Sequence, residues 1–207
     1  MSHIIVLVAC LCAERTERDG WGMSRVSQAE ARANRQRVVE AASRLFREKG
    51  VENVSIVDVM QSVGLTQGGF YKQFSSKEAL VDEATAHALT ERMKQLTALD
   101  EEHGGHEAAW SWLVDDYLSA HHRDDPGDGC PAVGFVADFA RELRPRETYA
   151  AGVRDMADWV APGEAGLVAL ATLVGAVLLA RATAGTPVSD EIMKAVRHSE
   201  ALALPVG

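Results

Sequence analysis

The chain has 207 residues, of which 47% are hydrophobic and 25% charged, and it carries a formal net charge of −9. These values predict a globular protein of one or two domains, and the acidic balance argues against binding of polyanions by the whole surface. The charge is uneven, because Met23 to Ser76 has eight Lys and Arg against five Asp and Glu, leaving the remainder at −12. A mildly basic part joined to an acidic one is typical of a DNA-binding domain with a separate body.

Residues 1–22 differ in character from the rest of the chain. Ile4 to Cys12 is an apolar run too short to span a bilayer, and it lacks both a preceding basic residue and an obvious cleavage site for a signal peptide. We expect 1–22 to be a dispensable N-terminal extension, whose removal leaves folding, dimerisation and DNA binding unchanged. Cys10 and Cys12 have no further Cys or His nearby and indicate little.

The first predicted helix covers Gln28 to Lys49, with apolar residues at helical spacing and Gly50 as a C-terminal cap. Arg32, Arg35 and Arg37 lie near its start. They either approach a phosphate backbone or form a solvated face.

Two short helices and the start of a longer one follow within Ser55 to Leu80. Ser55 precedes Asp58 by three residues and Ser75 precedes Glu78 by three, which predicts a capping box at each place. Gly64 predicts a tight turn between a helix over 56–62 and a second over 66–73, which Thr66 can cap. This order is that of a helix-turn-helix.

The second of these helices has the composition of a DNA reader. Phe70 and Phe74 are four residues apart and can anchor it to a core, which leaves Gln67, Tyr71 and Lys72 facing outward. Glutamine can pair with adenine, and tyrosine and lysine can hold phosphates. Two adjacent glycines, Gly68 and Gly69, allow the backbone to approach a ligand closely.

The stretch V-G-L-T-Q-G-G-F-Y-K-Q-F-S-S-K-E-A-L closely resembles the DNA-binding signature of the TetR family of transcriptional regulators, and the resemblance covers about residues 32–81. It implies a phosphate contact for Tyr71, major-groove contacts for Gln67 and Lys72, and a backbone contact for Lys77. Met60 departs from the family pattern, where a small residue is usual. The full predicted DNA-binding set is Ser55, Thr66, Gln67, Gly68, Tyr71, Lys72, Gln73 and Lys77.

The rest of the chain is predicted to be helical, with a break over Asp100 to Gly105. A helix from about Ser76 to Leu99 links the DNA reader to the body. Further helices are expected over 106–122, 131–143, 148–160, 165–180 and 189–204, with Pro131 opening the second of them. The fold class is therefore all-α, with a helix-turn-helix domain over 23–80 and an effector-binding and dimerisation domain over 81–207.

Ala165 to Ala180 contains no charged residue and falls just short of a membrane span, so we expect it to be buried on every side. The family resemblance implies that the last two helices pair with those of a second subunit. The predicted dimer residues are Leu173, Ala176, Val177, Ala180 and Val196.

No motif of a hydrolase, kinase, metalloprotease or dinucleotide enzyme is present, and His121 and His122 point about 100° apart on a helix, so no metal or cofactor is expected. The family resemblance implies an effector pocket in the body, where aromatic residues gather. The predicted lining is Trp110, Tyr117, Cys130, Phe135, Phe139 and Trp159.

Cys130 leaves a further hypothesis open. It stands at a predicted helix start, where free N–H groups favour a thiolate, although three nearby aspartates oppose this. The segment G-C-P-A-V-G-F-V-A also resembles that of a TetR subgroup that includes sensors of electrophiles and oxidants. The other interpretation is a small buried hydrophobic residue.

Together these features predict a cytoplasmic homodimeric DNA-binding regulator, most simply a repressor that a small-molecule effector releases from a palindromic operator in double-stranded DNA. It would be neither an enzyme nor a membrane protein. One alternative keeps the fold but makes Cys130 a thiol-based sensor. A remote one is an enzyme in which Cys130 and a histidine perform nucleophilic chemistry.

Overall fold

The computed structural model describes residues 28–141 and 146–204, and all of the regular structure within them is helical. The N-terminal half of the described chain contains α1 (Gln28–Lys49), α2 (Ile56–Ser62), a short 3₁₀ helix (Gln67–Lys72) and α3 (Lys77–Glu102). The expectation for residues 1–22 falls outside the described residues.

The remaining helices form the body. They are α4 (His106–Tyr117), α5 (Ala120–Asp124), α6 (Pro131–Gly134), α7 (Val136–Arg141), α8 (Glu147–Val160), α9 (Glu164–Ala182) and α10 (Pro187–Arg197), followed by a 3₁₀ turn (Glu200–Leu202).

Capping chemistry explains where the helices of the first part begin. The predicted capping box at Ser55 is confirmed, because the Asp58 N–H donates to Ser55 Oγ at 3.1 Å and the Ser55 N–H donates to Asp58 Oδ2 at 2.8 Å. The box predicted from Ser75 is wrong: Ser76 caps α3, with its hydroxyl accepting from the Ala79 N–H at 3.2 Å. Gly64 makes the predicted turn, since its φ of 71° favours glycine.

Three body helices are shorter than predicted, and one of them is the last, which ends at Arg197 although it was expected over 189–204. The helix expected over 106–122 ends at Tyr117, and a new one begins beyond Ser119, whose hydroxyl accepts from the His122 N–H at 3.2 Å. The helix expected from Pro131 is interrupted at Phe135, which is fully buried. The break at Phe135 lets its side chain join the cluster formed by the N-terminal helices, which helix periodicity does not reveal.

Two hydrophobic clusters divide the described chain. The head cluster gathers α1, α2, the 3₁₀ helix and the start of α3, and it also takes in Phe135 and Phe139 from the body. The body cluster gathers the rest of α3 with α4, α6 and α8–α10. Because α3 runs through both, the predicted domain division at residue 80 stays a prediction.

The residues that α9 buries within the chain differ from those expected. This helix is long and apolar enough to cross a membrane by length and composition. Four of its residues, Leu173, Ala176, Val177 and Ala180, are at most 3% exposed within the chain. The prediction that they form a dimer interface is therefore wrong, because the chain's own helices already cover them.

The opposite side of α9 is uncovered, which also corrects the expectation of burial on every side. Val168 and Leu179 are 52% and 58% exposed. Val196 of α10, the fifth predicted dimer residue, is half-buried against the body cluster.

Candidate nucleic-acid interface and ligand-binding regions

The recognition segment, Gln67–Lys72, is fixed from beneath by aromatic side chains. Phe70 is fully buried and Phe74 is 4% exposed, and their rings stack with centroids 5.3 Å apart. Tyr71 is 64% exposed, and Gln67 and Lys72 are also exposed. The separation of an anchored face from a polar outer face is that predicted from the sequence.

The glycines of the recognition segment play different parts. A Cβ on Gly69 would lie 3.6 Å from Met60 Cε, so Met60 packs directly beneath the segment. A Cβ on Gly68 would meet nothing within 4 Å. Gly68 is thus not required for packing, and its exposed backbone leaves room for close approach of a ligand.

Four other residues that were predicted to contact DNA have a structural role or lie in a different environment. Ser55 is exposed but caps α2. Thr66 is exposed at the start of the segment, and the expected cap is wrong because its side chain makes no cap hydrogen bond. Gln73 has a buried side-chain oxygen without a partner. Lys77 Nζ donates to the Val51 carbonyl at 2.7 Å, which ties α3 to the α1–α2 connection.

The arginines of α1 hold the head together. Arg35 forms a bidentate ion pair with Glu83 and lies 4.4 Å from the centre of the Phe74 ring. The hydrogen bonds that Arg35 donates to Glu83 are the main cause that raises the pKa of Arg35 above its usual value. Arg37 donates to the Val63 carbonyl at 2.7 Å. The pairing of Arg35 was missed because its partner is 48 positions away in the sequence.

The six residues predicted to line an effector pocket do not share one cavity. Phe135 and Phe139 belong to the head cluster, whereas Trp110, Tyr117 and Cys130 are buried in the body cluster. Trp159 packs partly against the latter. That prediction is wrong because aromatic composition alone does not say on which side of a helix each ring lies.

A groove of about 860 Å³ lies instead between α3 and α8. Helices α3 and α8 approach closely because Gly152 faces Leu89, where a Cβ would lie 2.6 Å from a leucine methyl carbon. The groove is lined mainly by small and apolar side chains, with a few polar and charged ones, at Ala86, Leu89, Thr90, Met93, Lys94, Thr97, Ala98, Glu101, Thr148, Ala151, Gly152 and Asp155.

Cys130 lies in the interior, at 2% exposure. Its backbone N–H donates to His122 Nε2 at 3.1 Å, and His122 Nδ1 lies 2.9 Å from the Tyr117 carbonyl. These contacts suit a neutral imidazole with its proton on Nδ1, and burial is the main reason that the pKa of His122 falls to about 4. Because the free lone pair of His122 is taken by a backbone N–H, it is not available to accept the thiol proton.

Tyr117 is another polar neighbour of Cys130. The buried Tyr117 hydroxyl has no hydrogen-bond partner, and burial followed by the neighbouring Cys130 raises its pKa well above the usual range. Within the described part of the chain, no group of three His, Cys, Asp or Glu side chains could hold a metal ion.

Comparison with known proteins identifies the head. Residues 38–84 match the family model described as bacterial regulatory proteins, tetR family. An uncharacterized HTH-type transcriptional regulator, YvdT of Bacillus subtilis (strain 168), is 36% identical over 61 residues, 30% of this chain and 31% of that protein. An HTH-type transcriptional regulator of Staphylococcus aureus (strain USA300) is 41% identical over 51 residues, 25% of this chain and 28% of that protein. The chain thus spans about a third of the length of these curated relatives.

Solved structures extend the similarity of fold to most of the chain. A TetR transcriptional regulator from Chloroflexus aurantiacus J-10-fl is similar with a TM-score of 0.65 and 23% identity, over 82% of this chain and 94% of that one. The reduced form of Escherichia coli NemR is similar with a TM-score of 0.65 and 18% identity, over 84% and 100%. At these identities the likeness concerns the fold.

Proposed function

Since the chain belongs to the TetR family of helix-turn-helix transcriptional regulators, we propose that it is a cytoplasmic homodimeric repressor that a small-molecule effector releases from a palindromic operator. The observation that carries the proposal is the recognition segment, in which the buried Phe70, stacked on Phe74 just beyond the segment, leaves three polar side chains facing outward.

The outer face of the recognition segment supports sequence-specific reading of the major groove. From this exposed face Gln67 would pair with adenine, while Tyr71 and Lys72 would contact phosphates. The open backbone at Gly68 lets the segment approach a groove edge. Lys77 is directed to the Val51 carbonyl, so we assign it to holding α3 in place rather than to a phosphate.

A dimer interface is proposed on the uncovered face of α9 and the start of α10. Val168, Ala171, Gly175 and Leu179 follow one another at helical spacing along α9, and all are exposed or half-buried. Val188 of α10 is 48% exposed. An apolar face of this kind is suited to a second copy, and pairing two heads allows half-sites one helical turn apart to be read together.

The groove between α3 and α8 is the proposed effector site. Its lining fits a mainly apolar molecule with a few polar groups. α3 also carries Glu83, which pairs with Arg35 of the head. A ligand that changes how α3 packs on α8 would therefore shift the equilibrium between head orientations.

The thiol-sensor alternative is less well supported. Cys130 is 2% exposed, so a reagent in solution has little access to it in this conformation.

Footprinting on the DNA that flanks the gene tests the proposed function. We expect protection of two related half-sites whose centres lie about 34–36 Å apart or a multiple of that spacing. Uniform, salt-sensitive binding to any DNA without a protected site would overturn it.

A further inference from the structure

A second, more enclosed cavity lies where the head meets the body. This junction cleft has a volume of about 200 Å³ and is bounded by α1, by α3 and by the loop before α6. Ser43 and Arg47 contribute from α1, Arg92 from α3 and Gly129 from the loop. The cleft is separate from the groove between α3 and α8, and it borders the two parts of the molecule that a regulator must couple.

Two arginines line the junction cleft, together with three carboxylates. Arg47 donates from Nε to the Ser43 carbonyl at 3.1 Å and from a terminal nitrogen to the Gly129 carbonyl at 2.6 Å. These carbonyl partners are neutral and do not balance the charge of Arg47. Burial is the main cause that lowers the pKa of Arg47. Attraction by Asp128 and Cys130 opposes this lowering, and repulsion from Arg44 and Arg92 adds to it. Arg92 contacts the Gln95 side-chain oxygen at 3.4 Å, and it forms no ion pair within the described residues.

A buried hydroxyl also lines the cleft without a partner. Ser43 is 1% exposed, and its Oγ makes no hydrogen bond. Buried hydroxyl groups are normally hydrogen-bonded, so an unsatisfied one beside two arginines points to a ligand that accepts hydrogen bonds.

The carboxylates at the rim of the cleft are already engaged. Glu91 pairs with Lys94 at 2.8 Å, and Asp128 pairs with Arg44 at 3.0 Å. Glu40 accepts a hydrogen bond from Gln36 at 2.9 Å. With these pairs formed, the inner wall presents N–H and O–H donors and two guanidinium groups.

We propose that the junction cleft binds a small oxyanion, the carboxylate or phosphate group of a metabolite, between Arg47, Arg92 and Ser43. The volume is several times that of one water molecule, about 30 Å³ in the liquid, so it admits the anionic group with a short organic body. Guanidinium groups suit such oxyanions because their N–H donors match two oxygens at once.

The position of the site implies a coupling role. An anion held there contacts α1 of the head, α3, and the loop of the body, and so favours the head orientation seen in this structure. This coupling deepens and rests on the proposed function, whereas the binding itself does not depend on it.

The test is titration of the full chain, without DNA, with inorganic phosphate and separately with acetate, at an ionic strength held constant with sodium chloride. Calorimetry should show saturable binding of one anion per chain, and the tighter of the two probes identifies the anionic group. Arg92→Gln should weaken binding about tenfold, because a hydrogen bond to a charged group is lost. Ser43→Ala should weaken it by a smaller factor while melting like the wild type, since its hydroxyl has no partner in the free protein.

Arg154→Gln on α8 is the matched control, because Arg154 is an exposed arginine whose ion pair with Asp158 lies outside the cleft. Saturable binding by neither probe, or equal weakening by Arg92→Gln and Arg154→Gln, would overturn the site. Since no DNA is present, these outcomes leave the operator-binding proposal to stand or fall on its own tests.

Discussion

At the scale of single residues, the recognition segment separates contacts that read sequence from contacts that supply affinity. Lys72→Ala should reduce the slope of log K against log salt by about one per head, because one phosphate contact per head is lost. Tyr71→Ala should weaken binding with little change in sequence preference. Affinity measured over a salt series checks both, and Arg154→Ala on α8, an exposed basic residue outside the head and outside the groove between α3 and α8, is the control.

Gln67 should behave differently. Gln67→Ala is expected to relax the base preference at one position in each half-site, costing about 1–3 kcal/mol there. Competition between operators that differ at single positions measures this. Should Gln67→Ala lose the same affinity for every operator, the residue is not a base reader.

The rate at which Cys130 is alkylated can be predicted from its burial. Because it is 2% exposed, alkylation of the folded protein near pH 7 should be much slower than that of the unfolded chain. Mass spectrometry after timed labelling of a Cys10→Ser/Cys12→Ser variant measures the rate. Labelling of folded Cys130 faster than that of an ordinary free thiol would revive the sensor alternative. Cys130→Ser, tested for release from DNA by an electrophile, would then decide it.

The sequence predicts residues best where the signal is local. Phe70, Phe74 and the outward Gln67, Tyr71 and Lys72 follow from four-residue spacing around a turn. The spacing of residues in the sequence does not predict the ion pair of Arg35, because its partner Glu83 is brought near only by packing of α1 on α3.

At the scale of elements, His122 fixes the loop between α5 and α6 through its contacts with Tyr117 and Cys130. Its pKa is about 4 in the folded protein, against about 6.5 in an unfolded chain. Between these values the unfolded state binds more protons, so the free energy of unfolding falls as the pH is lowered from about 6.5 to 4, by up to ~3 kcal/mol.

Denaturation curves across that pH range test the contribution of His122. His122→Gln should lose this part of the pH dependence, whereas His121→Gln, an exposed neighbour, should retain it. Identical slopes for His122→Gln and the wild type would show that the imidazole is not buried in its neutral form.

The bounds of elements were predictable where caps and composition define them. α1 ends at Lys49 as expected, and α9 extends the expected apolar stretch by a residue or two at each end. The break at Phe135 was not predictable, because it arises from where that side chain must pack. Phe135 leaves the helical course to join the head cluster.

At the scale of the whole molecule, we infer a dimer formed through α9 and the start of α10. An apolar helix can be predicted from composition, but its core side and its free side cannot, since both are apolar. Leu173 and Val177 proved to face the chain's own core, and Val168 and Leu179 the outside.

Ala171→Glu tests this interface. A charge placed on the free face of α9 should be left unpaired in the dimer at a cost of about 3–5 kcal/mol and favour monomers. Sedimentation over a concentration series measures the shift. Ala108→Glu, at an exposed position of α4, is the control and should sediment like the wild type. A dimer unaffected by Ala171→Glu would place the interface elsewhere.

The most direct test of DNA reading by this chain is its affinity for a footprinted fragment of the DNA flanking its gene, compared between the wild type and Gln67→Ala, Tyr71→Ala and Lys72→Ala. We expect the wild type to protect two half-sites. All three variants should bind that fragment more weakly while they melt and dimerise normally. Equal binding by the wild type and all three variants would contradict the assignment of Gln67–Lys72 as the DNA-reading segment.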